Sequence, residues 1–305
     1  MSAYGLFQQG GFHEWENCPC QDRVFVCRIG DTESTTVCDG AGDMQNALKA
    51  ADSVSREIGS WACANFTELM HGRADVRAQL LDEIDRILDK FTFGTKAYRN
   101  AYGCTLLCVC RSLSTGEALV IQIGDGVILR YNDRREIVCV NRPDARSGHR
   151  ASWLVNNSRE GLMKHAHIRR DPPSRGGGYC LLSDGSEGYL YMPSDDTMTV
   201  HPIVPALISE HLLYPRRFAE EMPDFVKKRI RPTDDFSIGI IGDVPASILP
   251  LPAAVPRRIA KKYAVYISAR RAGKSPITSA REAGIRRRDL PKCMKRLTGM
   301  GIEEV

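Results

Sequence analysis

Residues 18–42 read CPCQDRVFVCRIGDTESTTVCDGAG, two runs typical of β-strands that are joined by a short polar segment. Alternation and β-branched side chains predict strands over residues 24–29 and 34–38. An aspartate stands at one edge of each run, Asp22 before the first and Asp39 after the second, and Gly40 follows Asp39. A carboxylate beside each of two neighbouring strands raises the question of whether further strands end in the same way.

Three more carboxylates occur at the edges of strand-like runs: Asp125 in IQIGDGVIL, Asp184 in CLLSDGSEG, and Asp234, beside Asp235, in RPTDDFSIGI. One Asp-Gly pair is typical of a plain surface turn. Several carboxylates at one edge of a sheet, however, repel one another unless a cation neutralises them. Oxygen ligands suit Mg²⁺ or Mn²⁺ better than zinc. The pattern therefore indicates a site for hard divalent cations, which can activate water for attack on a phosphoryl group.

Hydrophobic periodicity predicts the remaining elements of the first 243 residues. Helices are predicted at about residues 42–70, 73–91, 195–213 and 216–229. Strands are predicted at residues 103–112, 117–126, 127–132 and 135–141, and around YCLLSDG and DFSIGIIGD. Residues 141–178 are polar and rich in Arg, Gly and Pro, so we interpret them as a long surface excursion.

The composition is that of an ordinary globular protein, with 43% hydrophobic and 26% charged residues in a chain of 305. No apolar run approaches the ~20 residues of a membrane helix. The N-terminal stretch MSAYGLFQQGGFHEWENC lacks the basic start and apolar core of a signal peptide. We therefore expect a cytoplasmic protein without a membrane partner.

The eleven cysteines lie mostly within apolar strand-like runs, where a free thiol behaves as a small hydrophobic side chain. The pairs Cys18/Cys20 and Cys108/Cys110 have one intervening residue, whereas zinc sites typically have two to four. Reduced, buried cysteines are the expectation in a chain without an export signal. A metal-binding or redox role for some of them is the alternative.

The last part of the chain differs in charge from the rest. Residues 257–305 contain 14 Lys or Arg and 4 Asp or Glu, a net charge of +10, whereas residues 1–256 carry −5. The stretch between them, VPASILPLPAAVPR, has four prolines in fourteen residues, which is typical of a semi-extended linker. We therefore predict a domain over 1–243, a Pro-rich linker over 244–256 and a basic domain over 257–305.

The basic segment is predicted to form three helices. The first spans about 257–272, the second is ITSAREA and stops at Gly284, and the third is LPKCMKRL, capped by Asp289. The segment resembles a winged helix-turn-helix, with TGMGIEEV as the start of a wing strand. Six side chains would then contact nucleic-acid phosphates, namely Arg286, Arg287, Arg288, Lys292, Lys295 and Arg296. The alternative is a small helical module that docks on a protein, including the acidic part of this chain.

The order of the pieces QDR, VCDGAG, GCTLL, QIGDG, LLSDG and TDDFSIGII over about residues 8–242 resembles the metal-dependent Ser/Thr protein phosphatases of type 2C, or PPM. The resemblance is closest to a bacterial branch with a His before Cys-Gln-Asp, as in GFHEWENCPCQDR here. It implies an α+β fold, a four-layer α/β/β/α sandwich of two antiparallel sheets flanked by helices, here followed by a small C-terminal helical domain. It also implies hydrolysis of phosphoserine and phosphothreonine on a protein, such as a cognate Ser/Thr kinase or its target.

The resemblance also implies roles for individual residues. Asp39 resembles the aspartate that bridges two Mn²⁺ or Mg²⁺ ions, and the Gly40 carbonyl resembles a ligand of the second. Asp184 and Asp234 look like ligands of the first ion.

Two more carboxylates and the phosphate contact complete the implied site. Asp22 looks like the carboxylate that holds the second ion's waters, which makes it catalytic together with Asp39, and Asp125 looks like part of a weaker third metal site. Many relatives place a phosphate-binding Arg near the position of Asn17. Arg23 or His13 could replace it, although His13 could equally be a packed structural residue.

Two other functions fit the same sequence. One is a DNA-binding regulator in which the phosphatase fold serves as a sensor. The other is a pseudophosphatase that acts as a scaffold for a kinase. Metal-dependent turnover of a phosphoester separates the enzyme from both.

Overall fold

The computed structural model describes residues 3–42, 44–134, 136–141, 153–174, 176–193, 198–251 and 255–302. The strands in these ranges are β1 (Ala3–Gln8), β2 (Arg23–Ile29), β3 (Thr32–Cys38), β4 (Leu106–Ser112), β5 (Ala118–Ile123), β6 (Val127–Tyr131), β7 (Ile137–Asn141), β8 (His167–Asp171), β9 (Gly178–Leu182), β10 (Tyr191–Pro193), β11 (Met198–Val200) and β12 (Phe236–Gly242). The α-helices are α1 (Gly11–Glu16), α2 (Ala47–Ala64), α3 (Phe66–His71), α4 (Val76–Thr92), α5 (Lys96–Arg99), α6 (Arg159–His165), α7 (Asp184–Leu190), α8 (Ile203–Leu213), α9 (Pro215–Phe225), α10 (Arg257–Arg271), α11 (Pro276–Glu282) and α12 (Leu290–Gly299).

Ten of the strands form two five-stranded antiparallel sheets. The first sheet has the order β1-β12-β9-β6-β7 and the second has the order β2-β3-β4-β5-β8. Strands β10 and β11 pair separately. The strands predicted from sequence correspond to β2–β7, β9 and β12, while β1, β8, β10 and β11 were not anticipated.

Strand β4 shows how the sequence builds the layers. Leu107 and Val109 point into the core between the two sheets. Leu106, Cys108 and Cys110 point to the other face, into a core shared with α2 and α4. Both faces of the strand are buried, so residues 106–110 are all apolar, and the period of two decides which layer each one enters.

Helices cover the outer face of each sheet. The first sheet is covered by α8, α9 and the C-terminal helices, with buried residues such as Leu212, Phe218 and Tyr266 in one continuous core. The second is covered by α2, α3 and α4. The predicted pair of antiparallel sheets flanked by helices is confirmed. Among the described helices, none combines the length and hydropathy that crossing a bilayer requires.

Three helix predictions differ in extent or type from the helices of the structure. The helix expected over 42–70 is broken at Asn65, which ends α2 and precedes α3. The helix expected from residue 195 begins only at Ile203, because residues 198–200 pair with β10 instead. The helix expected over 216–229 starts as α9 and ends in a π-helical turn, Val226–Ile230.

The long surface excursion predicted for 141–178 was wrong for its second half. Residues 159–165 form α6, and β8 completes the edge of the second sheet by pairing with β5. Leu162 is buried beneath α4, and Ile168 packs against the same core. Tertiary packing thus overrides a polar local sequence. Residues 142–152 lie outside the described ranges.

The prediction of a semi-extended linker was wrong for residues 244–251. Residues 246–248 form a 3₁₀ turn, and Val244, Ile248 and Leu249 are buried in the core of the first sheet. Because apolar side chains alternate with the prolines, the segment packs where a polar linker would be solvated. The domain boundaries themselves stay a prediction.

The three predicted C-terminal helices are present as α10, α11 and α12. Gly284, just after α11, has φ +62°, the left-handed conformation expected of a glycine that ends a helix. Asp289 does not cap α12. Its carboxylate instead accepts a hydrogen bond of 2.8 Å from Arg286 Nε. No wing strand is seen up to Ile302, where the described residues end.

Candidate active site

Strand pairing places Asp22 and Asp39 side by side. Arg23, the first residue of β2, pairs with Cys38, the last residue of β3. The residues just beyond this pair, Asp22 and Asp39, therefore lie at the same end of the second sheet.

The other three carboxylates lie at the same end of the first sheet. Asp125 precedes β6, Asp184 follows β9 as the first residue of α7, and Asp234 precedes β12. Because β6 and β12 both pair antiparallel with β9, the start of each lies beside the end of β9. All five sequence-predicted aspartates are thus brought to one end of the sandwich.

Asp22 is a buried carboxylate without a conventional partner. Its residue is 1% exposed, and neither side-chain oxygen accepts a hydrogen bond of normal geometry, although Asp39, Ser183 and Ser237 lie close to it. Burial raises the pKa of Asp22 to about 7. Burial and the charges of Asp22 and Asp184 likewise raise the pKa of Asp39 well above its ordinary value. Such a pair is costly unless a proton or a cation is shared between the two groups.

Asp184 connects the carboxylates of the two sheets. Its charge acts on Asp39, Asp125 and Asp234. Burial, followed by the charge of Asp184, raises the pKa of Asp125 to about 6. Burial also raises the pKa of Asp234, with a further contribution from Asp184.

The main chain around Asp39 is held on both sides. The Asp39 amide donates to Thr105 Oγ1 at 3.0 Å, and the Thr105 amide donates to the Asp39 carbonyl at 2.8 Å. Gly40 lies so close to Gln21 and Ala47 that a Cβ on it would stand 3.0 Å from Gln21. A larger residue would therefore be tight at this point and would require its neighbours to move slightly.

Asp235 is a site residue whose role the sequence did not reveal. It is 3% exposed and accepts hydrogen bonds from the amides of Gly10 at 2.8 Å and Gln21 at 2.5 Å. Its Oδ2 also lies 2.9 Å from Nδ1 of His13. Asp235 thus joins α1 and the segment before β2 to the start of β12. These contacts span more than 200 residues of sequence, so no local signal marks them.

The two candidates for the phosphate contact are both engaged. His13 contacts Asp235. The Arg23 guanidinium donates through Nη1 to the carbonyls of Cys20 at 2.9 Å and Asp22 at 2.6 Å, and lies 4.7 Å from the centre of the Phe7 ring. Arg23 therefore lies at the end of the sandwich that holds the five aspartates, the carboxylate end. Its guanidinium contacts the main chain beside Asp22.

The side chains at this end of the sandwich offer oxygen atoms as ligands for a divalent cation. Within the described residues, no group of three or more His, Cys, Asp or Glu side chains surrounds a point as a closed metal cage would. The carboxylates interact instead in pairs, Asp22 with Asp39 and Asp39 with Asp184. The unpartnered buried oxygens of Asp22 and the purely oxygen chemistry of these side chains fit Mg²⁺ or Mn²⁺.

The predicted nucleic-acid-binding side chains lie elsewhere, on the C-terminal helices. A groove of about 490 Å³ runs between α10 and α12 and is lined by Arg258, Lys262, Arg286, Asp289, Lys292 and Arg296, together with Ile259, Tyr263, Gly284, Ile285 and Cys293. Arg287, Arg288 and Lys295 are exposed nearby in the chain. Five cations and one acid thus line the groove.

A model of the protein phosphatase 2C family matches residues 9–221, more than two thirds of the chain. The chain belongs to the protein phosphatase 2C family. The match covers Asp22, Asp39, Asp125 and Asp184 and ends before Asp234 and the C-terminal helices. No curated protein matches the chain closely.

Solved phosphatase structures share the fold at low sequence identity. PppA, described as a key regulatory component of the type VI secretion system in Pseudomonas aeruginosa, is 14% identical with a TM-score of 0.56, covering 78% of this chain and 96% of that one. Serine/threonine phosphatase Stp1 from Staphylococcus aureus is 12% identical with a TM-score of 0.52, covering 79% and 94%. The S. agalactiae serine/threonine phosphatase is 11% identical with a TM-score of 0.53, covering 78% and 97%. These likenesses concern the fold.

Proposed function

We propose that this protein phosphatase 2C family member is a cytoplasmic, metal-dependent phosphatase that removes phosphate from serine and threonine side chains of a protein. The observation that carries the proposal is the buried, unpartnered Asp22 beside Asp39, with Asp125, Asp184 and Asp234 at the same end of the sandwich. A structural ion pair would bring opposite charges together. Here like charges are brought together, which costs stability and is typical of a functional site.

Mn²⁺ or Mg²⁺ fits this site. Two ions, and a weaker third, would be held by Asp39, the Gly40 carbonyl, Asp22, Asp184, Asp234 and Asp125. When bound, they supply a water of lowered pKa and neutralise phosphoryl charge.

The residues around the carboxylates position them. Thr105 fixes the main chain on both sides of Asp39. Asp235 holds Gly10, Gln21 and His13 against the start of β12. Arg23 and His13 stay the two candidates for the phosphate contact, because both lie at this end of the sandwich and both already have protein partners. The substrate in this proposal is a phosphoprotein, either a cognate Ser/Thr kinase or its target.

The enzyme is tested with a phosphoserine peptide and with p-nitrophenyl phosphate. Turnover should require Mn²⁺ or Mg²⁺ and should stop in excess EDTA. Full activity in EDTA, or none with either ion, would overturn the proposal. The second outcome would favour the sensor or pseudophosphatase alternative, which the family and fold comparisons do not favour.

A second proposal concerns the C-terminal helices, for which we infer binding of duplex DNA. The observation that supports it is the orientation of the two faces of these helices. Their apolar residues, including Tyr266, Ile267 and Leu297, are buried against the sandwich. Among the cations of the groove, Arg258, Arg286 and Lys292 are exposed, whereas Lys262 and Arg296 are half-buried. The alternative of docking on the chain's own sandwich accounts for the apolar face and leaves the basic groove unexplained.

The DNA proposal is tested on the full chain, by fluorescence anisotropy with a duplex over a range of salt concentrations. The triple change Arg286→Ala, Arg287→Ala, Arg288→Ala should weaken binding and lower the salt slope by up to about three, because each phosphate contact contributes about 0.9. Arg73→Ala, at an exposed position outside the groove, is the control. No binding by the wild type at ~50 mM salt would overturn the proposal.

A further inference from the structure

Cysteines from three elements meet beneath α2. Cys27 on β2 pairs with Ser34 on β3, and Ser34 pairs with Cys110 on β4, so the three residues form one row across the second sheet. Helix α2 lies over this row and places Cys63 above it. The Cys110 thiol donates to the Cys63 sulfur at a distance of 3.8 Å, and the Cys63 thiol lies 3.8 Å from the Cys27 carbonyl.

Small residues on the inner face of α2 bring these sulfurs together. Gly59 lies so close to β3 that a Cβ on it would stand 2.8 Å from Thr36 Oγ1. Ser34 donates to the Gly59 carbonyl at 3.0 Å. The helix therefore lies close to the sheet, and Cys63, one turn after Gly59, reaches β4. All eleven cysteines are free thiols.

The two thiols have different environments. The hydrogen bond from Cys110 lowers the pKa of Cys63 below its ordinary value, against the opposing effect of burial. Burial raises the pKa of Cys110 well above its ordinary value. One sulfur is thus favoured as a thiolate and its neighbour as a thiol, which is the combination that thiol oxidation requires.

We propose that Cys63 and Cys110 form a peroxide-oxidisable pair in which Cys63 attacks and Cys110 resolves. The Cys63 sulfur attacks one oxygen of hydrogen peroxide. An S–O bond forms, the O–O bond breaks, and the departing hydroxide takes up a proton to become water. The Cys110 sulfur then attacks the sulfenic acid of Cys63. An S–S bond forms, the S–O bond breaks, and the oxygen leaves with the thiol proton as a second water. Two thiols are oxidised by two electrons, and one peroxide is reduced.

Peroxide would reach the pair from the edge of the sheet. Strand β2 is the outermost strand of the second sheet, and Cys27 on it is only partly buried. Cys63 is 4% exposed near the end of α2, whereas Cys110 is 0% exposed. Attack therefore begins at Cys63. The resulting bond would fasten α2 to β4 across β3, the strand that ends at Asp39.

The pair is tested by treating the reduced full-length protein with hydrogen peroxide, alkylating the remaining thiols and mapping the peptides by mass spectrometry. The wild type should yield the Cys63 peptide linked to the Cys110 peptide, with the loss of two hydrogens. Cys110→Ser should give no link and a Cys63 sulfenic acid that dimedone traps. Cys108→Ala, at a buried cysteine on the same face of β4, is the matched control and should form the link as the wild type does.

The wild-type map alone decides the proposal, even where a variant fails to fold. A link from Cys63 to Cys27 would overturn the assignment of Cys110 as the resolving thiol. Oxidation of the partly exposed Cys18 and Cys20 while Cys63 stays reduced would overturn the whole pair.

Discussion

The carboxylate end of the sandwich and the groove on the C-terminal helices are both clusters of like charge, but they differ in burial. Asp22 is 1% exposed and lacks a conventional hydrogen-bond partner, so its charge is felt strongly by Asp39. Arg286, Arg287 and Arg288 are exposed, and water screens them from one another. Crowding charges in a buried site costs free energy that a bound cation or proton recovers, whereas an exposed basic face costs little. The first cluster therefore indicates function more strongly than the second.

The two regions also lie at opposite ends of the first sheet. Asp125 precedes β6, whereas Asp133 lies in the turn that follows it. Arg257 and Lys261 of α10 contact Asp133 at 3.5 and 3.7 Å. Helix α10 thus begins far from the carboxylates, so substitutions in the two regions can be tested separately.

The largest effect is expected for Asp39→Asn. The change keeps the shape of the side chain but removes the negative charge that would bridge the two metal ions. Mn²⁺-dependent turnover should therefore fall by several orders of magnitude, whereas the melting temperature should be retained. Hydrolysis of p-nitrophenyl phosphate and thermal unfolding measure the two quantities. Asp89→Asn, at an exposed carboxylate of α4, is the control. An Asp39→Asn protein with most of its activity would remove the carboxylate end from the mechanism.

The next effect tests whether the C-terminal helices unfold together with the sandwich. Ile267 is 0% exposed in the core beneath the first sheet, so Ile267→Ala should lower the free energy of unfolding by about 2–5 kcal/mol. Ile277→Ala, at a residue of α11 that is 58% exposed, should change it by less than about 0.5 kcal/mol. Denaturant unfolding followed by tryptophan fluorescence and circular dichroism measures both. Two separate transitions in the wild type would show that the helices are a tethered domain instead.

A third prediction tests how far the ionisation of the buried Asp22 lowers the free energy of unfolding. The pKa of Asp22 is raised from 3.8 to about 7, so the folded protein disfavours its ionised form. In EDTA, the contribution of Asp22 to the free energy of unfolding should therefore be greatest below its ordinary pKa and should fall as the pH rises toward about 7, by about 1–4 kcal/mol.

Asp22→Asn should flatten this pH dependence and, at neutral pH in EDTA, unfold at a higher temperature than the wild type. Added Mn²⁺ should restore stability to the wild type and affect the variant less. Thermal melts from pH 4 to pH 8, with and without Mn²⁺, measure this. A variant less stable than the wild type at every pH would mean that Asp22 is a structural residue.

The smallest effect is expected in the groove. Asp289 is the one carboxylate among the residues that line it, and its hydrogen bond to Arg286 lowers the pKa of Asp289, so it stays charged at neutral pH. Asp289→Asn should release Arg286 and strengthen duplex binding, by less than about tenfold, because exposed ion pairs are weak. Salt titrations of the variant and the wild type compare the slopes. Weaker binding by the variant would mean that Asp289 orients Arg286 for its contact.

The sequence allowed the carboxylate end to be predicted because each aspartate lies within two residues of the end of a strand that alternation and β-branched or apolar side chains indicate. Strand β4 alternates between two buried faces, and antiparallel pairing then decides which strand ends meet. Position along the chain was therefore enough to bring Asp22 and Asp39 together.

The contacts of Asp235 and the packing of residues 244–249 could not be predicted in this way. Asp235 is bound by Gly10 and Gln21, which are remote in sequence. The prolines of the supposed linker concealed Val244 and Leu249, whose burial depends on helices that come later in the chain. Strand β8 was missed because His-Ile-Arg-Arg-Asp has no apolar alternation and is fixed by its neighbour β5.

The shared core of the C-terminal helices has a consequence for synthesis on the ribosome. Val244, Ile248 and Leu249 emerge before residue 257, yet they share one core with buried residues of α10 and α12. A nascent chain would therefore expose Ile248, Leu249 and neighbouring apolar side chains until these helices emerge. The last helices thus complete this core, and their delayed arrival gives chaperones an interval in which to bind.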